Sequence, residues 1–99
     1  MTFDETWQHV AKDPDLARLV LMVDDPDRGT CVCWRKGSEP LEFFTPQTSL
    51  AGGLPDDDAE LLRQLIDWGV ISHPQTRRGN QLALSELGEH ARSVILDRR

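Results

Sequence analysis

The stretch from Leu54 to Ile71 constrains this chain more than any other. It opens Leu54-Pro55-Asp56-Asp57-Asp58, places Leu61, Leu62, Leu65, Ile66 and Trp68 at helical spacing, and closes on Gly69-Val70-Ile71. Apolar side chains three and four residues apart fall on one face of an α-helix. The partial positive charge of a helix N-terminus welcomes the aspartates. Glycine accepts the left-handed backbone that ends many helices. The pattern predicts a helix from 56 to about 68, after which Val70-Ile71 folds back on the last turn.

What flanks that helix follows from capping and turn chemistry. Thr45-Pro46 starts and Gly52-Gly53 stops a short helix at 46–51. Downstream, 71–74 reads as a strand, Thr76-Arg77-Arg78-Gly79-Asn80 as a turn and 81–84 as the returning strand. Ser85 then caps a last helix with Glu86 in its first turn. Leu87, Ala91, Val94 and Ile95 mark that helix's buried face, and Arg98-Arg99 sit at its favourable C-terminal end.

In the first half, Trp7, Val10 and Ala11 predict a helix over 4–12, with Asp4 in position to cap it. Asp13-Pro14-Asp15 interrupts it, because Pro14 lacks an N–H and restricts the residue before it. Residues 16–23 read two ways. Leu16, Leu19, Val20 and Val23 fit a helical face, whereas Leu19, Leu21 and Val23 alternate as in a strand. We expect a turn of helix at 14–18 and a strand after it. Asp24-Asp25-Pro26-Asp27-Arg28-Gly29 is turn chemistry. Thr30-Cys31-Val32-Cys33-Trp34 is β-branched, aromatic and alternating, Lys36-Gly37-Ser38-Glu39 turns again, and Leu41-Glu42-Phe43-Phe44 is a third strand. The expected class is α+β: residues 1–44 form a helix and a small antiparallel meander, and 45–97 a helical half with a hairpin.

Ninety-nine residues suit one domain, 1–99, which buries roughly two-thirds of its unfolded surface. No apolar run approaches the roughly 20 residues of a membrane span. The acidic start Met1-Thr2-Phe3-Asp4-Glu5 lacks the basic and apolar regions of a signal peptide. Cys31 and Cys33 are too close for a good structural disulfide, so a reducing cytoplasm is the simplest compartment. The net charge of −6 is divided unevenly, −8 over residues 1–71 and +2 over 72–99. Bulk acidity disfavours polyanions and leaves only the tail to welcome one.

The order short helix, turn, longer helix, β-hairpin, capped helix resembles the winged-helix domains of bacterial regulators of the MarR and ArsR kind. Residues 61–71, Leu-Leu-Arg-Gln-Leu-Ile-Asp-Trp-Gly-Val-Ile, are similar to the family's recognition-helix ending, leucines followed by glycine and two hydrophobic residues. Residues 82–88, Leu-Ala-Leu-Ser-Glu-Leu-Gly, resemble its strand-to-helix step after the wing. The match covers about 45–97. It implies a DNA-binding transcriptional regulator, with Arg63 on the helix and Arg77, Arg78, Asn80 and His73 around the wing.

Charge opposes that implication. Residues 56–69, whose first turns would enter the groove, carry a net −4. A carboxylate beside a phosphate is repelled by about 1 kcal/mol in bulk water and up to about 4 at a partly desolvated surface. DNA affinity rests on lysines and arginines neutralising phosphates, often 6–10 of them. We therefore expect a non-enzymatic protein-binding module that offers Asp56, Asp57, Asp58 and Glu60, with Asp25 and Asp27 of the acidic turn, to a basic partner surface. Size and charge suit an inhibitor of the phage or mobile-element type that occludes a nucleic-acid-binding protein. The DNA-binding regulator is the alternative. A structural module that homodimerises through helix 86–97 is the third reading.

Other patterns are quieter. Cys31-x-Cys33 lacks the second ligand pair that a zinc site wants, and reads as core packing. His9, His73 and His90 are scattered, so we expect no metal and no cofactor. No nucleophile, zinc-protease or phosphate-loop motif occurs, and no catalytic residue is expected. The acidic clusters lack the spacing of a calcium loop. Local cap and turn chemistry accounts for much of them, although three aspartates exceed what one cap requires. Trp7, Trp34 and Trp68 read as core residues, an exposed tryptophan being instead a binding hot spot.

Overall fold

A computed structural model describes residues 2–48, 53–76 and 78–98. Thr2, not Asp4, caps α1 (Phe3–Lys12): its side chain accepts from Glu5 N, while Asp4 accepts from Trp7 Nε1 at 3.1 Å. Asp13 ends α1 and starts α2 (Pro14–Val23). Its Oδ1 accepts from the amides of Asp15 and Leu16 at 2.9 and 3.3 Å, and Pro14 occupies the first helical position, where a missing N–H costs nothing.

The strand expected after residue 18 is therefore a correction. Residues 14–23 are one helix, and Leu16, Leu19, Val20 and Val23 are its buried face. Leu21 and Met22, which made the sequence look like a continuous strand, also pack against the core, half-buried. This helix touches α1, α3 and α4, so apolar side chains are useful on more than one of its sides.

With that strand gone, the three-stranded meander shrinks to β1 (Cys33–Trp34) and β2 (Phe43–Phe44), antiparallel, with Cys33 opposite Phe44 and Trp34 opposite Phe43. Pairing is completed from the far end of the chain. Trp34 N donates to Asn80 O at 2.7 Å and Leu82 N to Val32 O at 2.8 Å, around a bridge between Cys33 and Gln81. The expected hairpin is likewise reduced to one bridge, Ile71 with Leu84, and the bond from Ser72 N to Ala83 O. Pro74, buried and without an N–H, stops that ladder, and Pro74–Thr76 is a 3₁₀ turn. Residues 80–84 thus pair with both halves of the chain.

Of the helix expected at 46–51, residues 46–48 are a turn, closed by reciprocal bonds between Thr45 and Thr48; 49–52 lie outside the described residues. α3 (Asp56–Asp67) forms as its pattern requires, burying Ala59, Leu62, Leu65 and Ile66. Gly69 has φ +77°, and Val70 N and Ile71 N fold back onto Leu65 O. α4 (Glu86–Asp97) is capped by Ser85, whose Oγ accepts from Gly88 N and lies against the carbonyls of Gly69 and Val70.

One core unites the two halves. Val10 of α1, Leu19 and Val20 of α2, Leu62 and Leu65 of α3 and Ala91 of α4 belong to a single buried cluster. α4 presents Gly88, Ala91 and Ile95 inward and packs on α1 and α2. No described helix is long and apolar enough to cross a membrane.

Candidate functional site

The first turn of α3 is the densest group of exposed carboxylates on one element. Asp56, Asp57 and Glu60 are exposed. None of the aspartates caps the helix: the N-cap is Pro55 and no side-chain cap bond forms. Cap chemistry therefore does not account for the triplet, and what remains is attraction to the helix dipole and whatever the exposed carboxylates meet outside.

Asp58 behaves differently. Only 16% of its side chain is exposed, and its Oδ1 sits 2.8 Å from Arg18 Nη2, with Nη1 donating to Oδ2 at 3.4 Å. This fork ties α2 to α3. The bond to Asp58 raises the Arg18 pKa, burial opposes it, and the charges of Asp58 and Asp15 reinforce it. Arg18 is thus a fixed cation already neutralised. Arg63 is committed as well, its Nε donating to Leu41 O at 2.9 Å. The positive groups that could offset the exposed aspartates are turned to internal work.

The acidic turn after α2 departs from expectation. Asp25 is 2% exposed, so it cannot present charge to a partner. Its Oδ1 accepts from Asp27 N at 3.0 Å and its carbonyl from Gly29 N at 2.8 Å, which makes it the organiser of the turn. Arg28 Nε lies 3.9 Å away. Asp24 pairs with Arg92 of α4 at 2.5 Å. Asp27 stays exposed at the turn's surface.

Around the expected wing, Arg78 and Asn80 are exposed, and Arg77 lies outside the described residues. Arg63 is not with them, being held against the loop before β2. Asn80 instead shares a hollow of about 440 Å³ with Trp34, Arg35, Lys36, Phe44 and Gly79. In the sequence Lys36 reads only as part of a turn, and Arg35 is assigned no role. The available signal was two cations directly after an aromatic strand end and before Gly37, a turn that lifts them to the sheet edge.

Cys31 and Cys33 are free, half-buried thiols. Burial, and then the neighbouring Cys31, pushes the Cys33 thiol up. Among the described residues no three or more His, Cys, Asp or Glu side chains gather as a metal site would need. Trp34 is core, while Trp7 and Trp68 are half-buried with their rings edge-on to His90 and His9. No protein-family model, curated protein or solved structure matches the chain.

Proposed function

We propose that this protein is a non-enzymatic binding module whose exposed α3 turn, Asp56, Asp57 and Glu60, together with the exposed Asp27, engages a basic protein surface. One observation carries the reading: these carboxylates face solvent while Arg18 is neutralised by Asp58 and Arg63 is oriented towards Leu41 O. A phosphate approaching the same turn would meet uncompensated like charge. A basic protein surface would meet attraction that speeds encounter and fixes orientation.

Size and charge fit an inhibitor of the phage or mobile-element type that covers the nucleic-acid-binding face of its target. The scaffold, on this reading, is winged-helix-like over residues 45–97: a helix closed by Gly69, a bridge from Ile71 to Leu84 and a capped last helix support it. Groove reading of DNA by this scaffold is weakened because Arg63 is held against the loop before β2 through Leu41 O, away from Arg78 and Asn80, and the first turn of α3 is acidic. Dimerisation through α4 is weakened because α1 and α2 already cover its apolar side.

Affinity capture from the lysate of the native host tests the proposal. The intact protein should retain a basic protein that elutes as salt rises. The variant Asp56→Asn, Asp57→Asn, Glu60→Gln should not retain it. Equal retention by both would remove the acidic turn from the binding surface.

A further inference from the structure

We propose that the hollow at the outer edge of the sheet binds a short stretch of single-stranded nucleic acid, one base stacking on the guanidinium of Arg35. This inference stands apart from the acidic turn of α3 and uses none of its residues.

The argument begins with strand register. Cys33 opposite Phe44 and Trp34 opposite Phe43 make Arg35 and Glu42 the next pair, and Arg35 N donates to Glu42 O at 2.9 Å. Side chains alternate along a strand, so Trp34 and Phe43 go to the core while Arg35, Glu42 and Phe44 share the other face. Arg35 Cζ lies over the Phe44 ring, 5.6 Å from its centroid, and its Nε is 3.2 Å from Glu42 Oε2. An aromatic face on one side and a carboxylate at the edge hold the guanidinium plane in place, yet half of the side chain is exposed.

A held, planar, half-exposed cation is a stacking platform. Nucleobases stack on aromatic rings and on arginine guanidinium planes without regard to sequence. Lys36 and Asn80 line the same hollow and supply charge and hydrogen bonds beside a stacked base, and Arg78, exposed, lines the neighbouring hollow with Asp24, Thr30 and Gln81, where the strand's backbone would continue. A duplex keeps its bases stacked on one another and cannot offer a face to Arg35, so the chemistry selects an unpaired strand. Arg35 is paired with Glu42 and stacks the base, so Lys36 and Arg78 are left to reach phosphates. Two such contacts on a single strand give a salt slope near about −1.4 in log–log form, about 0.7 per contact.

Fluorescence anisotropy of labelled oligothymidylate and oligouridylate of about eight nucleotides tests this at roughly 50 mM salt. The protein should bind both saturably and bind a duplex of equal length at least about tenfold more weakly. Arg35→Ala should weaken binding between about fivefold and about 100-fold, the range of a lost stacked base. Arg35→Lys retains the charge but not the plane, and should lose nearly as much. Asp56→Asn with Asp57→Asn should leave single-strand binding no weaker. Absence of saturable binding, duplex bound as tightly as single strand, or Arg35→Lys behaving as the unaltered protein would each overturn the inference. Circular dichroism of every variant separates lost binding from lost folding.

Discussion

Gly88 shows how tightly single positions are drawn. A Cβ there would stand 2.1 Å from the carbonyl oxygen of Val70 and 3.0 Å from Leu84 Cβ, neither of which can yield cheaply. Gly88→Ala should therefore destabilise by about 1–3 kcal/mol, despite the better helix propensity of alanine. A urea midpoint unchanged from the native protein would contradict that packing. Cys33 makes a prediction of a different kind. Its thiol ionises less readily in the folded chain, because of burial first and Cys31 second. A group with a raised folded pKa contributes its stability in full below the ordinary thiol range and loses it as pH rises through the folded value. Urea midpoints should thus fall as pH rises above about 9, and fall less in Cys33→Ala. Identical pH profiles would show that the thiol environment is not the one described.

At the scale of elements, Asp13 is the junction to test. It closes α1 and caps α2 with two amide bonds, so Asp13→Ala should cost about 0.5–2 kcal/mol, measured by denaturant unfolding. A loss near zero would mean that Pro14 alone starts α2. The same junction explains what could be read in the sequence. α3 and α4 were legible because Gly69 and Ser85 mark their ends and their apolar spacing admits one interpretation. α2 was misread although Asp13-Pro14 announced it. Its four consecutive apolar residues, 20–23, reflect neighbours on several sides, information that lies in the tertiary structure. The sheet was overestimated for a related reason. Thr30 to Trp34 has strand composition, yet only Cys33–Trp34 pairs with β2, and the remaining pairing comes from residues 80–82, distant in the chain. The site was partly legible too. Composition alone could not show that Asp25 is buried within its turn or that Asp58 is neutralised by Arg18, forty residues away in sequence.

For the whole molecule, a net charge of −6 is ordinary in size; what matters is where the cations are spent. Arg18, Arg63 and Arg92 knit the fold together, through Asp58, Leu41 O and Asp24. Asp56, Asp57 and Glu60 of α3 are left facing outward, and Lys36, Arg78 and the Glu42-paired Arg35 are exposed near the sheet edge. On the two proposals made above, the acidic surface would meet basic proteins and the sheet edge would meet phosphates. The most direct test of the acidic surface is the dissociation constant of the captured basic protein, measured calorimetrically across a salt series. Measurements compare the native protein with Asp56→Asn, Asp57→Asn, Glu60→Gln. The account predicts binding that weakens steadily with salt, and a variant that binds at least about tenfold more weakly with a flatter salt dependence. An equal affinity for the variant, with the same dependence on salt, would contradict it.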